Sequence, residues 1–226
     1  MPAKSLLIAG TDTDVGKTML TAAIASYYQH YYPQQKLAIY KPIQAGTGDR
    51  EYYQQVLQLQ QSPEEITPIF LSAPLAPPIS AEKEKGQIDL GYIWHKYRQL
   101  VSEYDLVLVE TLGGLGSPLT YEYLVANLVR DWQVPTVLVG AVRLGGIAQI
   151  VANVALARSL HIPLKGIVLN CPTSASSQDI SDLTPPDLIE NLVNVPVWGV
   201  LPYITDIYSN FQLRHSAQAL DRLLPE

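Results

Sequence analysis

Short runs of Leu, Ile and Val alternate along this chain with longer stretches whose apolar residues recur at helical spacing. The short runs are 6–9, 37–40, 106–110, 136–140, 166–170 and 197–201. They show little in–out alternation, as expected of strands covered by helices on both faces. Helices are expected over 17–30, 50–60, 90–104, 121–133, 147–160 and 211–224. Pro33, Pro135, Pro163 and Pro196 stand just before or at the entry to a strand, where proline stops the preceding helix. Strand–helix alternation of this kind predicts a mostly parallel central sheet flanked by helices, an α/β fold. Two stretches break the rhythm. Residues 72–78 read as a proline-rich loop, and 173–186 as a polar, exposed excursion. Strands of the same character resume after each, so a single domain over 1–226 is expected.

Composition narrows the class. Of 226 residues, 47% are hydrophobic and 16% charged, which describes a folded globular chain. The net charge of -6 argues against sequence-independent nucleic-acid binding, because such a surface repels phosphate backbones. Lys83 and Lys85 alternate with Glu82 and Glu84 and read as a solvated turn, not a basic patch. No apolar stretch approaches the roughly 20 residues of a membrane helix, so no membrane partner is expected. The opening apolar run reaches a glycine-rich loop too soon for a signal peptide. A single cysteine, Cys171, and four scattered histidines fit a reducing, cytoplasmic setting without a His/Cys metal site.

The candidate chemistry begins where the first run ends, at Gly10-Thr11-Asp12-Thr13-Asp14-Val15-Gly16-Lys17-Thr18. Two glycines, then Lys and Thr at a helix start, form a phosphate loop with one residue more than the usual spacing. Glycines let the backbone approach an anion, successive N–H groups make a nest, and the helix adds its positive end. Lys17 would reach the β- and γ-phosphates and Thr18 would ligate Mg²⁺.

Three other strand ends carry polar residues, where ligands of parallel sheets collect. Lys41 follows the second strand and could neutralise charge on a transferring phosphoryl group, though an ordinary surface lysine is the simpler reading of the position alone. Asp49 opens the next helix as a cap, a metal ligand, or both. Glu110 closes an aliphatic strand, the arrangement that sets a carboxylate beside Mg²⁺. Asn170 could read a purine edge or could form a turn, and chemistry alone leaves Cys171 a bystander.

Together these residues resemble the dethiobiotin synthetases. The likeness lies in the loop at 10–18, Tyr40-Lys41-Pro42, Asp49, Leu108-Val109-Glu110 with Gly113-Gly114, Arg143-Leu144-Gly145, Asn170 and Leu201-Pro202-Tyr203. The resemblance implies an ATP-dependent ligase that joins 7,8-diaminopelargonate and CO₂ into the ureido ring of dethiobiotin, releasing ADP and phosphate. It implies that Lys17 and Lys41 are catalytic and that Thr18, Asp49 and Glu110 hold Mg²⁺. By the same likeness Asp14, Val15, Gly16, Lys17, Thr18 and Met19 wrap the phosphates. Asn170, Pro202, Tyr203 and Ile204 frame the adenine. Asp49, Glu110, Thr111, Leu112, Gly113 and Cys171 complete the nucleotide set, Lys41 and Ala45 face the diamine, and the protein is a homodimer.

Departures from the family pattern fall on the diamine side. Thr111-Leu112 stands where the family usually has Gly-Ala, Ala45 where a hydroxyl residue is common, Pro78 where a histidine often follows, and Ala148 where Asn is frequent. On the nucleotide side Asp14 stands for the more usual Glu. Two other readings compete. A carboxyl-activating relative of the cobyrinic acid synthetase kind would carry a glutaminase domain with a nucleophilic cysteine. A partition or septum-site ATPase would carry a second lysine in the phosphate loop, where this chain has Asp12 and Asp14.

Overall fold

The computed structural model describes residues 4–218 and 220. Six strands form the central sheet: β1 (Lys4–Gly10), β2 (Leu37–Tyr40), β5 (Leu106–Gly114), β6 (Thr136–Ala141), β7 (Leu164–Asn170) and β8 (Val197–Leu201). Their order is β2-β5-β1-β6-β7-β8, and every neighbouring pair is parallel. Two short strands, β3 (Ile43–Ala45) and β4 (Ile69–Leu71), pair in parallel beside it.

Strand side chains point alternately to the two faces, and each face meets its own apolar layer. Leu6, Ile8, Leu37, Ile39, Leu106 and Leu108 pack with α1 (Lys17–Tyr31), α2 (Asp49–Val56) and α10 (Asn210–Ala217). Leu7, Ala9, Ala38, Tyr40, Val107 and Val109 pack against α5 (Leu90–Glu103), α6 (Val125–Trp132), α7 (Gly146–Ser159) and α9 (Pro186–Val193). Burial on both faces is why these strands read as continuous apolar runs.

All six expected strands are present, and the differences are local. The helix expected over 50–60 ends at Val56, with Leu57 extended and buried. That turn lets buried Gln61 lie along edge strand β2, accepting from Ile39 N at 2.8 Å and donating to Ile39 O at 3.0 Å. The side chain thus satisfies edge groups that a further strand would otherwise pair. A short helix, α3 (Pro63–Ile66), follows, capped by Ser62.

The proline-rich loop expected at 72–78 gives way to α4 (Pro77–Lys83), which starts on two prolines whose fixed φ suits a first helical turn. The turn expected at 82–85 is therefore partly helical, and Glu84 accepts from Ser72 N and Oγ. The helix expected from 121 starts at Val125, because Pro118 bridges Leu124 and the Asn127 side chain caps Leu124 N. The polar excursion at 173–186 contains α8 (Ser177–Leu183), which buries none of its residues. The last helix begins at Asn210; residues 219 and 221–224 of its expected span lie outside the described residues. Among the described residues no helix is long and apolar enough to cross a membrane.

Candidate active site

The carboxyl ends of β2, β5 and β1 are neighbours in the sheet, so the residues that leave them converge. Between β1 and α1 the chain turns through two left-handed residues, Asp14 (φ 55°) and Gly16 (φ 99°). Aspartate tolerates that region better than most side chains, and glycine enters it freely. Neighbours crowd the loop. A Cβ on Gly16 would fall 2.1 Å from Asn170 Nδ2, and one on Gly10 would fall 2.9 Å from Lys17 Cδ. No side chain caps α1, so its first amides stay directed at the loop's concave side.

Lys17 is buried against this loop and donates to the Asp12 carbonyl at 2.9 Å. Burial pushes its ammonium pKa down from 10.5 to about 8, with nearby Lys41 adding to the shift and Glu110 opposing it.

Lys41 leaves β2 into an enclosed site. Its Nζ lies 2.7 Å from Glu110 Oε1 and 2.6 Å from Asp49 Oδ2, and the side chain is only 4% exposed. Burial alone would lower its pKa, but the two carboxylates outweigh that cost and hold it above the ordinary lysine value. Burial tends to raise Asp49, but Lys41 and the Thr18 hydroxyl bring it below the usual carboxylate range. Glu110 is fully closed to solvent. It lies inside β5, not at its end, because the strand runs on to Gly114 after a register shift against β1.

The Thr18 hydroxyl is 2.8 Å from Asp49 Oδ1 and 3.1 Å from Glu110 Oε1. Three hard oxygen donors from α1, α2 and β5 therefore meet at one point. Asp49 is the first residue of α2 and not its cap; Gly48 takes that place, its N–H donating to Glu51.

A cleft of about 770 Å³ opens over these groups, lined by Thr13, Asp14, Gly16, Lys17, Thr18, Met19, Lys41, Asp49 and Glu110. Ala45, Leu112, Gly113, Ser117, Pro118 and the 74–77 segment line the remainder, a more apolar wall. Val15 and Thr111 are buried and do not line it. Asn170 donates to the Val15 carbonyl at 3.0 Å, which ties β7 to the phosphate loop. Pro202 and Tyr203 are exposed beyond β8. Cys171 and Ile204 are buried and pack into the two apolar layers.

Several residues shaping the site gave no motif signal. Tyr53 and Thr21 both contact Glu110 Oε2. Each stands one helical turn past a candidate residue, Asp49 or Lys17, a spacing that could have marked them. Gln44 accepts from Arg50 N and donates to Glu51, seating the start of α2. Asn153 donates to the Thr11 carbonyl and accepts from Leu115 N, joining the phosphate loop to the segment after Glu110. Asp12 pairs with Arg143 and Gln149 on the outer side of the loop.

Comparison with known proteins places this geometry. A family model described as an AAA domain (AAA_26) matches residues 4–210. The ATP-dependent dethiobiotin synthetase BioD of Crocosphaera subtropica is 46% identical, covering 96% of this chain and 97% of the relative. That of Gloeothece citriformis is 45% identical over 98% and 99% of the two chains. Among solved structures, a ParA family ATPase from Chlorobium tepidum superposes with a TM-score of 0.63 at 14% identity, covering 98% of each chain. MinD of Aquifex aeolicus follows at 0.58 and 16%, covering 99% and 92%. At that identity the two structures share the fold alone, whereas the sequence relatives match nearly end to end. This chain belongs to the ATP-dependent dethiobiotin synthetase family of P-loop proteins.

Proposed function

We propose that this protein is an ATP- and Mg²⁺-dependent dethiobiotin synthetase, closing the ureido ring of dethiobiotin from 7,8-diaminopelargonate and CO₂. The observation that carries the reading is the convergence of Lys17, Lys41, Thr18, Asp49 and Glu110 in one cleft, in a chain 46% identical to a synthetase of that name.

The residues fit a magnesium ion. Two carboxylates and one hydroxyl offer hard oxygens, and the ion prefers a few such ligands completed by phosphate oxygens and water. The Lys41 ammonium already lies between the same two carboxylates, which marks the point as one that calls for positive charge. Thr18, Asp49 and Glu110 would hold the metal, whose chemistry is to neutralise charge on the β- and γ-phosphates.

The protein's own groups do the rest. Loop amides from Asp14 to Met19 and the α1 terminus hold the phosphates, and Lys17 reaches them from below. One amine of the diamine takes up CO₂ as a carbamate, whose oxygen attacks the γ-phosphorus. ADP leaves, and a carbamic–phosphoric anhydride remains. Lys41, at the boundary between the phosphate loop and the apolar wall, stabilises negative charge that builds up during transfer. The second amine then attacks the anhydride carbonyl, phosphate departs and the ring closes. Ala45 and Leu112, which line the cleft, would face the diamine and shape its aliphatic part by contact. Asn170, Pro202 and Tyr203 would frame the base. A homodimer working in the cytoplasm completes the proposal.

Expression in a bacterial strain that grows only with added dethiobiotin tests it. Growth without the supplement, lost on Lys17→Ala, is expected; failure of the well-expressed wild-type chain to restore growth would refute the reading.

A further inference from the structure

Glu110 is the one carboxylate of the site with no exposure to solvent. A buried carboxylate must have its lone pairs met by donors, and the way they are met fixes which oxygen faces the ligand. The two oxygens of Glu110 are served by different partners. Oε1 receives Lys41 Nζ at 2.7 Å and lies 3.1 Å from the Thr18 hydroxyl, on the cleft side. Oε2 receives the Tyr53 hydroxyl and lies 3.1 Å from the Thr21 hydroxyl, both behind the cleft.

We infer that Tyr53, assisted by Thr21, is a positioning residue that commits Glu110 Oε2 to the protein and so presents Oε1 to the nucleotide's divalent cation. The inference rests on the cation site proposed above. Of the two donors Tyr53 is the principal one. Thr21 also lies 2.9 Å from the Lys17 carbonyl, and its one proton can serve only one acceptor at a time. The Tyr53 ring is fully buried, so its hydroxyl cannot turn to water instead. Tyr53 stands one turn after Asp49 on α2, and Thr21 one turn after Lys17 on α1. The two helices that supply ligands therefore also supply the clamps that orient the third ligand. Without the phenol, Glu110 is free to rotate and chelate Lys41 with both oxygens, which withdraws Oε1 from the cation.

The test is calorimetric titration of a non-hydrolysable ATP analogue into wild type and Tyr53→Phe, with Mg²⁺ and again with EDTA. Wild type is expected to gain affinity from Mg²⁺. Tyr53→Phe is expected to bind as wild type in EDTA, within about twofold, but to lose about tenfold of the gain, with a matching rise in the Mg²⁺ concentration for half-maximal turnover. Tyr52→Phe removes a hydroxyl from the same helix that donates to the Ile207 carbonyl at 2.6 Å and should leave the metal dependence unchanged. Tyr53→Phe with undiminished Mg²⁺ gain and lowered thermal stability only would make Tyr53 a packing residue and overturn the inference, leaving the function intact. If Tyr53→Phe does not fold, Thr21→Ala decides by the same titration: a reduced gain supports the clamp, an unchanged one overturns it. No Mg²⁺ gain in wild type would remove the cation site itself, and the inference with it.

Discussion

The Lys41 ammonium lies 2.7 Å from Glu110 Oε1, with both side chains almost wholly closed to solvent. A charge pair so enclosed is costly to desolvate, and removing one member leaves the other unpaired in a poor dielectric. Glu110→Gln keeps the shape and removes the charge. It is expected to destabilise the fold by about 3 kcal/mol, the low end for a broken buried pair because Asp49 still faces Lys41. Chemical denaturation measures the change. Activity should fall at least about 100-fold.

Lys17 and Lys41 should separate in kinetics. Lys17→Ala removes the principal phosphate partner, so ATP affinity and turnover should both collapse. Lys41→Ala should lower kcat about 100- to 1000-fold while nucleotide affinity changes by less than about threefold, because its charge is used as transfer proceeds. Equilibrium nucleotide binding alongside steady-state rates shows the difference.

The buried Lys17 ammonium gives a pH dependence with a definite sign. In the free protein it is charged below about pH 8 and neutral above. Phosphate binding favours the charged form, so ATP affinity should hold below pH 8 and weaken above it, by at most about tenfold per unit. Lys17→Arg should flatten that limb, since arginine stays charged throughout. For folding the sign is opposite. The depressed pKa makes the charged form a cost below about pH 8, and that cost fades as pH rises toward 10.5.

Gly114 marks a close approach between β5 and the phosphate loop. A Cβ there would sit 2.7 Å from the Thr11 carbonyl oxygen, which is backbone and cannot swing aside. Gly114→Ala should displace the loop, weaken ATP binding at least about tenfold and lower the melting temperature by several degrees. Nucleotide titration and a thermal melt check both.

The parallel sheet and phosphate loop were legible because each is written locally: apolar runs for doubly covered strands, Gly16-Lys17-Thr18 after the first of them. Lys41 and Asp49 were legible as strand-exit and helix-start residues and Glu110 as a carboxylate after an aliphatic run, though the strand continues past it, and the sheet order then brings β2, β5 and β1 side by side. What escaped depends on long-range contact. Gln61 pairs with an edge strand 22 residues away, and Tyr53 meets Glu110 across 57 residues. Glutamine and tyrosine carry no motif, so only the folded arrangement reveals these uses. The α4 helix was missed because consecutive prolines read as loop, although at a helix start they are compatible with its first turn. Cys171 and Ile204, both in the expected nucleotide set, follow the ends of β7 and β8 and bury their side chains in the two apolar layers, a placement set by contacts distant in sequence.

Ring closure itself is tested most directly by incubating the purified protein with ATP, Mg²⁺, 7,8-diaminopelargonate and ¹³C-bicarbonate, then measuring product mass and ADP together. The account predicts dethiobiotin carrying one ¹³C at the ureido carbonyl, one ADP per product, and little phosphate release when the diamine is omitted. Steady ATP hydrolysis that ignores the diamine, with no labelled product, would contradict it.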